Sequence, residues 1–482
     1  MINIKPRQLS RYSFLVLFPV FFVLHSVNEY NIDPLHNGVF QLMLVYTIAM
    51  VSLCFLAWLV FRNLTKAAIF SFTLMAFNFF FGLLQDFLKK NLAGTIMVKY
   101  SFILTLFLLV FVVLFIYLRR SKNNFEKLCS YLNYLFILLL FIDLVQIGLK
   151  ENKTIPTQQI SSCKDCAKPD IYLIIADEYA GAQQLRDQFG FDNSSYEKAL
   201  QERGFHVLQN TRANYNFTMH SMASMLNLDY LHGLNGKYFR HDEVFICRRM
   251  IEKNVFTSYL EKEGYKIYNY SFFDLEDHPK IIQHYYFTSV DTYINRQTLL
   301  GRMNYDLGFH LASKEKKESI RMNDDHNNKL VMQSTMEAAT EKSQAPKFVY
   351  THFTMPHHPY YYDRNEKPLA FEGLSGEALK KAYTEYLQYA NGKFLQLIDT
   401  IQSKSATPPV IIFMSDHGFR QFKGPEAKKY YFMNINAISL PGKNYSRFYD
   451  GMTNVNMIRA LSNEIFRQQF PMLKDETIFL EE

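Results

Sequence analysis

Beyond residue 160 this 482-residue sequence has no apolar run long enough to cross a bilayer, and nowhere does it show an internal repeat or an extended low-complexity tract. The first absence confines membrane insertion to the N-terminal part. The second excludes solenoids and disordered arrays. Five cysteines are too few for a disulfide-stapled scaffold. Charge is also missing where a nucleic-acid binder would need it. Residues 1 to 150 hold 13 Lys and Arg against 5 Asp and Glu, which leaves 39 against 40 for the rest. The net charge of +7 therefore belongs to the N-terminal part, and no basic stripe suits a phosphate backbone.

What is present divides the chain in two. Five apolar runs occupy residues 12–27, 39–61, 67–84, 100–118 and 131–149. A helix needs roughly 20 mainly apolar residues to cross about 30 Å of hydrocarbon, so these read as five transmembrane helices in a domain spanning 1–150. The first run is the shortest and ends in His25, Ser26 and Asn28. No small-residue cleavage pattern follows it, so it reads as a retained span, not a signal peptide. Nine Lys and Arg at the N-terminus and in the second and fourth loops face three on the opposite side. That bias predicts a cytoplasmic N-terminus and, with five spans, an extracytoplasmic remainder. Asp143, inside the fifth run near its outer end, reads as an interfacial or bundle-facing structural residue.

Residues 151–168 are polar and read as a linker. They contain Cys163-Lys-Asp-Cys166, whose expected role in an oxidising compartment is a local disulfide, since half a zinc site lacks its second pair. From 169 to 482 short apolar runs at 170–176, 265–270, 347–351 and 409–414 read as buried strands, with helical stretches between them, clearest at 378–403. The expected fold is an α/β/α domain with a mainly parallel sheet, whose ligands sit at the carboxyl ends of its strands. Residues 313–345, charged and polar, read as a solvated helix or mobile insertion.

Three of these strands lead into metal-ligand residue types: Asp177-Glu178, then His352 with Pro356-His-His-Pro359, then Ser415-Asp-His-Gly418. Carboxylate oxygens with imidazole nitrogens suit one divalent ion, zinc or manganese. In the segment from Arg212 to Met225 a loop enters a helix near Thr218, where backbone N–H groups and the helix dipole favour a phosphate or sulfate. A threonine hydroxyl is a poor nucleophile unless activated, and a dication activates it. The bland reading makes Thr218 a helix cap.

This order of motifs resembles the sulfatase-like branch of the alkaline phosphatase superfamily, and the five spans ahead of it look like lipoteichoic acid synthases and lipid A phosphoethanolamine transferases. The resemblance implies an alkaline-phosphatase-like catalytic domain with Glu178 as metal ligand, Asp177 as a second acidic one, and Thr218 as both nucleophile and ligand. It implies Asp416 and His417 as the metal-binding pair. His357 would lie near the transferred phosphoryl group, with His352 and His358 as weaker alternatives. The implied reaction moves a phosphoethanolamine or phosphoglycerol group from a phospholipid donor to an envelope glycan or lipid acceptor through a phosphothreonine. A membrane-anchored hydrolase of phosphate or sulfate esters and an inert envelope assembly protein are the alternatives. Two departures bear on this. None of the 14 His lies beyond His417, which argues for a single metal, and Thr218 lacks the C/S-x-P/A-x-R frame of formylglycine sulfatases.

Overall fold

The computed structural model describes residues 10–92, 94–149, 160–163, 165–234, 237, 241–282, 289–370 and 373–481. Most of the expected linker, 150–159 and Lys164, lies outside the described residues. The chain forms two compact units, Met1–Asn152 with Thr288–Lys317, and Lys153–Phe287 with Glu318–Glu482.

In the first unit the apolar runs become helices α1 (Phe14–Glu29), α2 (Asn37–Phe61), α3 (Leu64–Asn91), α4 (Tyr100–Arg120) and α5 (Glu126–Leu149). Helices α2 to α5 are each long and apolar enough to cross a membrane. Their outward side chains are apolar too: Phe40, Leu108, Val113 and Phe141 are mostly exposed. Such a surface is stable against hydrocarbon and not against water. Polar side chains start the helices. The Asn63 side chain accepts from Lys66 N–H at 3.1 Å and the His36 ring from Gly38 N–H at 3.1 Å. α1 has only 16 residues, about 24 Å at 1.5 Å per residue. It runs parallel to α5: Phe14 N–H donates to Asn133 Oδ1 at 2.6 Å, and His25 Nδ1 lies 3.1 Å from Asp143 Oδ1. The two helices are thus paired at both ends, with α1 a shorter apolar helix beside the four long ones.

The second unit is built on a six-stranded sheet: β1 (Ile171–Ala176), β2 (His206–Leu208), β3 (Lys266–Tyr270), β4 (Lys347–Phe353), β5 (Val410–Met414) and β6 (Asn436–Ser439), ordered β2-β6-β5-β1-β4-β3. The four strands legible in the sequence are its parallel core, with β1 between β4 and β5. β6 pairs antiparallel with β5 and β2 with β6. Every residue of β1, β4 and β5 is buried, as expected for parallel strands covered on both faces. The long helix Gly376–Lys404 buries Ala382, Tyr386, Phe394, Leu397 and Ile401, with Tyr389 half-buried.

The charged region 313–345 divides. Helix Lys314–Arg321 buries nothing and is solvated. Helix Asn323–Thr340 instead buries Val331, Thr335, Ala338 and Ala339, a narrow small-residue stripe that the surrounding polar residues obscure. It also holds the segment that follows β4, because Asn328 Oδ1 accepts from Thr354 N–H at 2.8 Å.

Candidate metal and nucleophile site

The pairing of β1 with β5 sets Ile175 opposite Met414, so the residues leaving the two strands emerge side by side. Asp177, Asp416 and His417 converge there, with ligand atoms within 4.8 Å of one another and all three side chains buried. The turn after β5 is held tightly. Ser415 Oγ accepts from Tyr179 N–H at 2.9 Å, Glu178 N–H reaches Asp416 Oδ1 at 3.2 Å, and Asn434 Nδ2 donates to Ser415 O at 2.7 Å. Gly418 has no room for a side chain: a Cβ there would lie 2.4 Å from Tyr430 O and 2.5 Å from Met433 O.

The chemistry of the corner follows from counting donors. His417 Nδ1 lies 2.8 Å from Gly418 O, so the network assigns the proton to Nδ1 and leaves Nε2 as an acceptor. Nε2 sits 3.2 Å from Asp416 Oδ2 and 3.7 Å from Asp177 Oδ1. Both carboxylate oxygens are buried without a hydrogen-bond donor. Three acceptors that face each other in a dry site repel unless a cation lies among them. The donor set, two oxygens and an imidazole nitrogen, fits a divalent ion such as zinc or manganese. In the metal-free site, burial and then the charges of Asp416 and Glu178 hold the Asp177 carboxyl well above the usual carboxylate range. Burial and then Arg420 hold His417 well below the usual imidazole range.

Thr218 is the first residue of helix Thr218–Leu226, whose cap is Phe217. Its hydroxyl is therefore not the cap. It lies 3.2 Å from His417 Nε2 instead. Ser221, one turn on, donates to Asp416 O at 2.6 Å, fixing the helix to the metal turn. Thr218 is 7% exposed, so the hydroxyl is packed yet at the edge of the buried corner.

Glu178 takes a different direction. Its backbone is in the left-handed region, φ +57°, a conformation costly for a residue with a Cβ. Its carboxylate accepts from Arg420 N–H at 2.8 Å and Gln421 Nε2 at 3.2 Å, and lies 3.7 Å from His357 Nε2. Glu178 is thus outside the three-residue group, next to it through its own N–H. His357 lies on the rim beside Glu178. His352 is fully buried within β4, its Nδ1 3.0 Å from the Tyr350 hydroxyl, and the His358 ring packs at 5.3 Å on Tyr360; neither joins the group. Arg420 has no counterpart among the sequence candidates. Its guanidinium lies 4.7 Å over the Phe217 ring, at the start of the Thr218 helix, and its Nε is buried without an acceptor. Its place two residues after the Ser-Asp-His-Gly turn was the available signal.

The sulfatase family model matches residues 169–476. The chain belongs to the sulfatase family. It is an enzyme of the sulfatase-like class, with membrane-crossing helices ahead of the sulfatase domain. No curated protein sequence matches it. Among solved structures it is similar to the C-terminal periplasmic domain of EcEptC from Escherichia coli in complex with Zn, at 14% identity and TM-score 0.41, over 63% of this chain and 84% of that one. It is similar to the C-terminal periplasmic domain of phosphoethanolamine transferase EptC from Campylobacter jejuni, at 12% and 0.38, over 65% and 94%. A third is the soluble domain of lipooligosaccharide phosphoethanolamine transferase A from Neisseria meningitidis, at 12% and 0.37, over 61% and 87%. Likenesses this distant assign no residue or substrate to the sulfatase-family chain.

Proposed function

We propose that this sulfatase-family enzyme transfers a substituted phosphoryl group, of phosphoethanolamine or phosphoglycerol type, from a phospholipid to an envelope glycan or lipid through Thr218. The observation that carries the reading is the Thr218 hydroxyl, at the head of its helix, 3.2 Å from His417 Nε2 in a buried group of acceptors. Asp177, Asp416 and His417 would hold one divalent ion, zinc or manganese, with Thr218 at its edge and Glu178 adjacent. Bound there, the ion supplies positive charge that lowers the hydroxyl's pKa and offsets charge on the phosphoryl oxygens.

The protein's own groups do the rest. The helix N-terminus aims backbone N–H groups at the anion, and the Arg420 guanidinium beside Phe217 adds a fixed positive charge. Thr218 Oγ1 bonds to phosphorus as the bond from phosphorus to the diacylglycerol oxygen breaks. The hydroxyl proton is lost and the leaving oxygen gains one, with His357 on the rim as the shuttle. An acceptor hydroxyl then attacks phosphorus as the bond from phosphorus to Thr218 Oγ1 breaks, and the acceptor's proton returns to the Thr218 oxygen. Diacylglycerol stays in lipid, which suits an enzyme carried on membrane helices. The domain is assigned to the extracytoplasmic side and the N-terminus to the cytoplasm. The charge bias of the loops supports this, as does the Cys163–Cys166 disulfide, a bond that persists in oxidising compartments.

The test is intact-protein and peptide mass analysis after exposure to phospholipid. A mass increment on Thr218 equal to the headgroup phosphate supports transfer. Release of free headgroup with neither the increment nor labelling of any added acceptor would make the protein a hydrolase. Wild-type protein free of metal, together with a fully functional Thr218→Ala variant, would make it the inert relative.

A further inference from the structure

The segment Thr288–Lys317 interrupts the sulfatase-family unit in sequence and clusters with the membrane helices. Within that unit, helices Val290–Asn295 and Leu299–Leu311 pack on α2 and α3. The Tyr46 hydroxyl donates to Asn295, Gly82 N–H donates to Gln297 O at 2.9 Å, and Asn78 Oδ1 accepts from Leu300 N–H at 3.2 Å. Gly82 admits this because a Cβ would lie 2.6 Å from Gln297 O. Arg302 makes a two-pronged bond to Asp86, 2.6 Å on each arm, and Tyr100 donates to Asp306 at 2.6 Å.

The faces of helix Leu299–Leu311 are inverted relative to a helix in water. Arg302 and Asp306 point to the bundle and make its contacts. The other side carries Leu300, Met303, Leu307 and Leu311 at i, i+3, i+7 and i+11, one stripe of an α-helix. Leu300 is 69% and Leu311 82% exposed. Near the C-terminal end of α3 further apolar side chains are exposed: Leu83, Phe87, Ile96 and Met97. Depth points the same way. Gly82 stands 18 residues into α3, about 27 Å along it at 1.5 Å per residue, where a hydrocarbon slab of about 30 Å ends.

We propose that residues 290–311 form an interfacial element embedded in the lipid at the end of the bundle where α3 terminates, with Leu300, Leu307 and Leu311 in the acyl region. The occupant of the leucine face is then the bilayer itself, because the helix packs on α3, whose own exposed side chains at that end, Leu83 and Phe87, are apolar. The consequence is one of connectivity: the sulfatase-family unit joins the membrane through three chain crossings, near 152, 287 and 317, and not through a single linker. This inference is independent of the chemistry proposed above.

The full chain in phosphatidylcholine vesicles tests it. Leu311→Cys and, separately, Leu300→Cys would carry a nitroxide, with Asn365→Cys in an exposed loop as aqueous control. The free cysteines Cys54, Cys129 and Cys247 are buried, which directs the label to the new thiol. The expected result is a ratio of oxygen to nickel-chelate accessibility well above that of the control at both leucine positions. A ratio equal to the control would overturn the proposal by placing the face in water. Shielding from both relaxants would overturn it too, by placing the face against protein.

Discussion

Asp143 on one side and Asp177 with Asp416 on the other are all buried carboxylates, and they are finished differently. Asp143 in α5 is 3% exposed, and donors surround it: Asn28 Nδ2 at 2.9 Å and His25 Nδ1 at 3.1 Å, with Asn28 also donating to Gln146 at 2.6 Å. Asp177 and Asp416, 3% and 0% exposed, each keep an oxygen with no donor, and the nearest nitrogen presents a lone pair. Burial alone does not separate structure from chemistry. The supply of donors does: a satisfied acid locks two helices together, whereas a set of unsatisfied acceptors holds space for a cation.

That distinction can be broken most severely at His417. His417→Ala removes the only nitrogen of the group, and metal affinity is expected to fall by more than the roughly 10–100-fold that loss of a supporting partner costs. Metal analysis after dialysis reads this, and retention of stoichiometric metal would place the ion elsewhere. Ser221→Ala, which removes the bond to Asp416 O, should fall within that 10–100-fold range.

Asp177→Asn should separate affinity from stability. Because the folded-state pKa of Asp177 is raised, its contribution to metal-free stability is full below the unfolded pKa and is lost as pH rises through the folded one. At neutral pH the substitution should therefore stabilise the metal-free protein while weakening metal binding. Urea unfolding with and without a chelator checks both. The same shift fixes the sign of the pH dependence. Metal must displace a proton from Asp177, so affinity should rise with pH until that group is ionised. A titration flat across the range would contradict the acceptor-only reading.

How much of this was legible follows from length and burial. β1, β3, β4 and β5 are apolar runs, so composition reveals them. β2 and β6 have three and four residues and depend on their neighbours for pairing, which leaves no local pattern. Asp177, Asp416, His417 and Thr218 were readable because they follow strands or begin a helix, where backbone geometry sets direction. The direction of the Glu178 carboxylate was not readable, since a left-handed backbone and the N–H of Arg420, 242 residues away, decide it. The same holds for residues 290–311, where a polar face turned toward membrane helices has meaning only once α3 is beside it.

The smallest effect belongs to the acid whose needs are met. Asp143→Asn keeps the shape and still accepts from Asn28, while giving up only the charge that faces His25 at 3.1 Å. The His25 side chain is 49% exposed, so the pair is open on one side, where such ion pairs contribute about 0–1 kcal/mol. Unfolding in detergent should shift by no more than that, with metal content and turnover unchanged. Asp143→Leu is the sharper variant, because it removes the buried acceptor that Asn28 and His25 share, at about 1–3 kcal/mol. If Asp143→Asn instead abolished turnover while metal stayed bound, the contrast between the two sets of carboxylates would fail, since a hydrogen-bonded acid would then be carrying chemistry through its charge.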